Sequence, residues 1–174
     1  MLHQDRTTQD VRNGVFCYYV IMINHKNAHG AIIHSGELVR KDYLFRVSLK
    51  AVILNDIGHV LVVKERGRDW WDIPGGGLDH GESIKEALGR ELLEEVSLHG
   101  DFEYEAILAE DPKYLDNHNL YQMRVAFLVK PNVAVFEPGD DGDEVSFVDP
   151  ASFEQSGLII ERKIFEYSQL AKRR

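Results

Sequence analysis

The sequence predicts an α/β protein in which a mixed β-sheet is sandwiched between helices. Two observations carry that prediction. Apolar runs of strand character flank one strongly helical stretch near the middle of the chain, and a second amphipathic helix closes it. No repeat, linker or low-complexity tract interrupts the series, and 174 residues are ample for a single core.

The elements follow in order. Residues 1–14 (MLHQDRTTQDVRNG) are polar and read as a loose arm. Val15 to Ile23 is an apolar run rich in aromatic and β-branched residues, too short to span a bilayer and preceded by mixed rather than basic charge. It reads as an added β-strand. Asn24 to Gly36 holds His25, His29 and His34, but no accompanying acids or cysteines favour a metal cluster there. Leu44 to Asn55 alternates early and is apolar later, Asp56-Ile57-Gly58 is a turn, and His59 to Lys64 is a second strand, so a hairpin is expected. A charged loop, Glu65 to Asp69, leads into Trp70-Trp71-Asp72-Ile73-Pro74 and a run of glycines.

Beyond the central helix, Phe102 to Ala109 and Leu120 to Lys130 read as strands, separated by a polar loop containing Pro112 and Tyr114. Glu137 to Glu144 packs five acids into eight residues and reads as a solvated turn, with Glu137 as the member best placed to swing into a site. Val145 to Val148 is a short strand, Pro150 to Gln155 a helical turn, and Ile159 to Lys172 the closing helix.

The stretch from Gly75 to Leu98, GGGLDHGESIKEALGRELLEEVSL, organises the rest. Ser83 can cap the helix, with Glu86 completing a capping box. At roughly 100° per residue, Ile84, Leu88, Leu92 and Val96 form an apolar stripe, and Glu91 and Glu95 fall inside or beside it. Glu91, Glu94 and Glu95, at i, i+3 and i+4, share one face. These carboxylates are expected to be partly buried, close together and alike in charge, which is costly unless a hard cation with oxygen ligands joins them. Glu86 lies four residues before Arg90, the favourable order for a helix ion pair, and Lys85 is placed as a solvated residue. Gly75, Gly76, Gly77 and Gly81 allow close backbone approach and positive φ.

This stretch resembles the Nudix box, the signature of the Nudix hydrolase superfamily: Gly, five residues, Glu, seven residues, then Arg-Glu-apolar-any-Glu-Glu-any-Gly-apolar. Gly76, Glu82, Arg90, Glu91, Leu92, Glu94, Glu95 and Leu98 fall in register over 23 residues, and the tryptophan-to-Pro-Gly-Gly approach adds to the match. Ser97 stands where the family has glycine, which leaves Gly100 as a candidate helix stop.

The resemblance implies an α/β/α sandwich and a metal-dependent pyrophosphohydrolase that cleaves a phosphoanhydride in a nucleoside diphosphate linked to a further group. It implies Mg²⁺ or Mn²⁺ held by Glu91, Glu94 and Glu95, with the Gly75 carbonyl as a backbone ligand and Glu137 as a further acid. Glu91 is either a ligand or the base that activates water. Arg90 would orient a glutamate, and Glu82 would brace the loop. Gly76 and Gly77 would approach the substrate, and Trp70 could stack on a base. Residues some fifteen to eighteen beyond the box hint at substrate in this superfamily; Tyr114 leans toward dinucleoside polyphosphates and Pro112 toward ADP-ribose. (Modified) nucleoside triphosphates are the favoured substrates, with those two classes and a non-catalytic nucleotide sensor as alternatives.

Residues 41–174 are expected to form this domain, and residues 1–40 an N-terminal extension whose role is open, formation of a homodimer included. The net charge of −9 argues against a broad nucleic-acid footprint, so the expected partner is a small nucleotide, with neither nucleic acid nor membrane. The single cysteine, Cys17, cannot form an internal disulfide and reads as a small buried hydrophobe, which makes a cytoplasmic location the natural expectation.

Overall fold

The computed structural model describes residues 45–133 and 135–174 in full, and β1 (Gln9–Arg12), β2 (Val15–Val20), β3 (Ala31–His34) and β4 (Arg40–Tyr43) through their backbone. The chain divides into two compact units. One comprises Met1–Arg46 with Pro112–Met123, the other Val47–Asp111 with Arg124–Arg174.

In the first unit β1 to β4 pair in sequence order, each antiparallel to the next, with Gln9 opposite Tyr18, Tyr19 opposite Ile32, and Ile33 opposite Lys41. The strand expected from Val15 is β2; Ile21 to Ile23 lie outside the described residues, as do His25, His29 and the burial of Cys17. His34 ends β3. Gln9–Arg12, expected within a loose arm, forms a strand instead. Pairing at a sheet edge is made by backbone groups, so a polar sequence does not forbid it. The loop expected between residues 110 and 119 likewise contains a strand, β8 (Lys113–Leu115), paired with the first residues of β9 (Leu120–Pro131). Tyr114 lies opposite Tyr121, and their rings meet edge to face at 5.2 Å, a contact that favours pairing over a solvated loop.

The second unit holds the two strands expected around the Asp56-Ile57-Gly58 turn, but not as a paired hairpin. Among the described residues they touch by backbone only beside the turn, at the Leu54–Val60 bridge and the Leu61 amide to Ile53 carbonyl bond, and then enter different sheets. β5 (Phe45–Val52) and β6 (Val60–Glu65) are joined by a turn in which the Asn55 side-chain oxygen accepts from the Ile57 and His59 amides and Gly58 adopts φ 80°. β6 pairs antiparallel with β10 (Gly142–Val148), and β5, β9 and β7 (Phe102–Ala109) lie side by side in that order. Strand parity divides the core. Leu49, Ala51, Ile53, Leu61 and Val63 pack with Ala87, Leu88, Leu92 and Val96 of α1 (Ile84–Val96). The alternate residues Val52, Val60 and Val62 pack with Ile164, Tyr167 and Ala171 of α2 (Ile159–Ala171), below the short helical turn Pro150–Phe153. The strands are thus covered by a helix on each face, the α/β/α arrangement expected. Leu88, Leu92 and Val96 are fully buried, each contributing about 1.5–3 kcal/mol.

The ends of α1 are set by its own sequence. Ser83 and Glu86 form the predicted capping box, the Ser83 Oγ accepting from the Glu86 amide at 3.3 Å and the Glu86 carboxylate accepting from the Ser83 amide at 2.8 Å. At the other end Ser97 itself, not Gly100, stops the helix. It adopts the left-handed conformation (φ 52°, ψ 31°), and the Ser97 and Leu98 amides donate back to the Leu93 and Leu92 carbonyls. The replacement of glycine by serine therefore leaves the stop in place, at a cost of about 1–2 kcal/mol for left-handed backbone in a residue with a Cβ.

Candidate active site

Arg90 is the hub of the site. Its Nε and one terminal nitrogen donate to the two carboxylate oxygens of Glu82 at 2.8 and 3.0 Å. That nitrogen also reaches the Gly77 carbonyl at 2.9 Å, and the other reaches Glu91 at 2.7 Å and Glu94 at 3.2 Å. A guanidinium has five protons, and five bonds are made. The hydrogen bond with Glu82, with Glu91 contributing, raises the Arg90 pKa further above its already high value. The bond from Arg90 and that from the Asp79 amide hold the Glu82 carboxyl below its usual range. Glu82 thereby ties the glycine loop to the helix. The expected ion pair between Glu86 and Arg90 does not form: Glu86 is occupied by Ser83, and Arg90 by these other acceptors. Lys85 is exposed as its position predicts, and it makes a surface ion pair with Asp101 at 2.6 Å.

Glu91 and Glu95 enter the buried side of the helix as their spacing requires. Glu95 is only 5% exposed, and its Oε2 accepts from the Gly75 amide at 2.8 Å. Burial pushes its carboxyl up to about 7, against the opposing pull of Lys50 and the Gly75 N–H. Burial raises Glu91 as well, with Arg90 pulling the other way. Gly76 lies against Glu91 so closely that a Cβ there would fall 2.6 Å from both carboxylate oxygens. Only a residue without a side chain leaves that carboxylate in place.

Hard oxygen donors in excess of their counter-charge suit a divalent cation. The donor set fits: a buried carboxylate on Glu95, and Glu91 and Glu94 converging on one guanidinium nitrogen. Among the described residues no three acidic, histidine or cysteine side chains form a ready-made cage, because Glu91 and Glu94 are turned to Arg90. The Gly75 carbonyl accepts from Lys50 Nζ at 2.6 Å, so one of its two lone pairs is engaged.

The family model for the NUDIX domain matches residues 44–167. The chain belongs to the Nudix hydrolase family. Nudix enzymes generally use divalent metal ions, in keeping with the donor set above. Among curated relatives, 71 residues are 46% identical to an RNA pyrophosphohydrolase of Ruthia magnifica subsp. Calyptogena magnifica, covering 41% of this chain and 38% of that one. A Bacillus subtilis (strain 168) protein provisionally named 8-oxo-dGTP diphosphatase is 36% identical over 70 residues, 40% of this chain and 47% of that one. These matches span less than half the length of either relative. The crystal structure of a MutT protein from Methanosarcina mazei Go1 superposes with a TM-score of 0.60 at 21% identity, covering 76% of this chain and 99% of that one, and supports the fold.

Of the remaining Nudix site candidates, Trp70 is half-buried with the Arg68 guanidinium 5.6 Å from its ring centre, while Trp71 packs against the core on the α2 face. Tyr114 belongs to the other unit, where its hydroxyl bonds to Asn119. Glu137 is exposed, and among the described residues its carboxylate takes no part in the network around Arg90. Its amide does something the acidic composition hid. The amides of Glu137, Gly139 and Asp141 donate to the Val96, Glu95 and Glu94 carbonyls, so the loop expected to be a solvated turn caps the end of α1 by its backbone.

Two residues near the site carry a role that the sequence pattern does not assign. Lys50 and Asp72 form a buried ion pair at 2.8 Å beneath the glycine turn. The available signal was a lysine at an inward position of the apolar strand LKAVILN, together with an acid immediately before Ile73-Pro74-Gly75.

Proposed function

We propose that this protein is a metal-dependent pyrophosphohydrolase that cleaves a phosphoanhydride in a nucleoside diphosphate linked to a further group, with (modified) nucleoside triphosphates as its substrates. The observation that carries this reading is the convergence of Glu82, Glu91 and Glu94 on Arg90 beside the buried Glu95 at the glycine turn. In this reading Glu94 and Glu95, with the Gly75 carbonyl, hold a Mg²⁺ or Mn²⁺ ion. Bound there, the ion supplies charge neutralisation of the phosphate oxygens and activation of water.

The chain's own residues do the rest. Arg90 fixes the carboxylates by four of its five bonds and the Gly77 carbonyl by the fifth, and Glu82 anchors the loop so that Gly76 and Gly77 present backbone rather than side chain to the substrate. Glu91, whose basicity burial raises, is either a further ligand or the acceptor of the proton from the attacking water. Trp70 offers a ring face for the base. Glu137 is a further acid available from the loop that caps α1. Residues 1–40 stand outside this chemistry as an N-terminal extension, and the protein works in the cytoplasm.

A second reading is favoured by one observation, the 46% identity to a protein named RNA pyrophosphohydrolase, which points to the terminal phosphates of an RNA. Phosphate release separates the two, with pyrophosphatase added for the triphosphates and the RNA, and phosphatase for ADP-ribose and the diadenosine polyphosphate. The panel contains deoxynucleoside triphosphates and their oxidised forms, ADP-ribose, a diadenosine polyphosphate and a 5′-triphosphorylated RNA, each with and without Mg²⁺ or Mn²⁺. Metal-dependent turnover of the triphosphates, abolished by Glu94→Gln, is the expected result. Turnover of the RNA alone selects the second reading, and no turnover of any member by folded protein refutes both.

A further inference from the structure

We infer that Lys50 is a positioning residue of the active site, its buried ammonium holding the turn Asp72–Gly75 in the arrangement that presents Gly75 to Glu95. The inference rests on the hydrolase reading and adds to it a residue outside the Nudix box. Lys50 is 4% exposed and lies on β5. Its Nζ donates to Asp72 Oδ2 at 2.8 Å, to the Ile73 carbonyl at 2.9 Å and to the Gly75 carbonyl at 2.6 Å. An ammonium has three protons, and all three are used.

The backbone around it explains why a side chain is needed. The Ala51 amide holds the Pro74 carbonyl and the Leu49 amide holds the Gly76 carbonyl, both at 2.8 Å. Of three successive carbonyls, the outer two are held by strand amides and the middle one, on Gly75, by Lys50. Gly75 has φ 124°, and a Cβ there would lie 2.3 Å from the Leu49 carbonyl oxygen, so its conformation is open to glycine alone. Its amide donates to Glu95 on one side while its carbonyl accepts from Lys50 on the other. An apolar residue at position 50 would leave two carbonyls and the Asp72 carboxylate without their cation and would free Gly75 to turn away from Glu95. A buried ion pair is seldom better for stability than apolar residues of the same volume, so the position it imposes is what the pair contributes.

Lys50→Met alone strands the Asp72 charge, so the test is the neutral pair Lys50→Met/Asp72→Asn, with Lys50→Gln/Asp72→Asn, which keeps an N–H donor group at position 50, as a second variant should the first pair not fold. Three quantities are measured on full-length protein. These are Gly75 amide exchange by NMR without metal, Mn²⁺ affinity by electron paramagnetic resonance, and kcat and KM for the substrate found in the panel. The expected result is Gly75 exchange at least tenfold faster with Leu61 and Val63 unchanged, Mn²⁺ binding at least fivefold weaker, and kcat at least tenfold lower with KM within threefold. A folded variant with wild-type Mn²⁺ affinity and kcat overturns the inference, whether or not Gly75 exchange changes. Absence of turnover in the wild-type protein refutes the hydrolase reading instead, and Lys50 is then judged on Gly75 exchange and Mn²⁺ affinity, wild-type values of both overturning it.

Discussion

Replacing Glu95 by glutamine should make the metal-free protein more stable, and increasingly so as pH rises. The folded carboxyl titrates at about 7 against an ordinary value of 4.5, chiefly because it is buried. The folded state therefore binds this proton more tightly than the unfolded state. Below the unfolded value both states are protonated and the group costs nothing. Between the two values folding must retain a proton that the unfolded chain has released, and stability falls by about 1.4 kcal/mol per pH unit. Above about 7 the full penalty, about 3 kcal/mol, is in place. Glutamine never ionises, and its amide oxygen can still accept from the Gly75 amide.

The assay is urea unfolding of both proteins in a chelator from pH 4.5 to 8.5, read as the difference between them so that other titrating groups cancel. That difference should be near zero at the acid end and about 3 kcal/mol in favour of Glu95→Gln at the alkaline end. Millimolar Mn²⁺ should then close or reverse the gap by stabilising the wild type alone. A difference that does not vary with pH would mean that Glu95 is not a buried carboxylate short of positive charge, and the case for a cation at this site would lose its electrostatic ground.

Four further outcomes follow from named contacts. Gly76→Ala should keep its fold, because only the flexible end of Glu91 must move, yet lose at least tenfold in kcat; circular dichroism and turnover together check this. Gly142→Ala puts a Cβ 2.2 Å from the Glu95 carbonyl, so the loop must lift from α1 and stability should fall by about 2 kcal/mol or more in thermal unfolding. Ser97→Gly should stabilise by about 1 kcal/mol in the same measurement by relieving left-handed strain, less the weak bond from Ser97 to the Pro138 carbonyl. Arg90→Lys keeps the charge but not the five-proton fork, and kcat should drop by at least tenfold with the fold intact.

How far the sequence reached depended on whether a feature is local. The capping box, the acidic face of α1 and the apolar stripe are set by residues within three or four positions of one another and are legible, save that Ile84, expected in the stripe, lies in the first turn and is 38% exposed. So was the α/β/α layering, because the order of strands and amphipathic helices, with the Nudix resemblance, implies it; the parity along β5 and β6 that assigns residues to one helix face or the other is seen in the structure. What was misjudged depends on partners far along the chain. Arg90 was paired with its helix neighbour Glu86, but the glycine loop returns Glu82 and the Gly77 carbonyl to it, and a bidentate carboxylate outcompetes a single helix contact. The acids of residues 137–144 suggested solvent or metal, while their role in the fold is carried by amides and by the absence of a Cβ at Gly139 and Gly142, features that side-chain composition does not display.

Lys50 joins the two cases. Its position in an apolar strand is visible in the sequence, but a buried lysine has no meaning until its three acceptors are known, and they lie more than twenty residues away. Placed together, the two charges at the turn have opposite consequences. Lys50 is satisfied completely, so it fixes geometry. Glu95 has one amide and a distant ammonium, so it retains an unmet demand for positive charge. A site built this way is rigid where the backbone must be held and electrostatically incomplete where a cation would bind, which is the combination that hydrolysis of a phosphoanhydride requires.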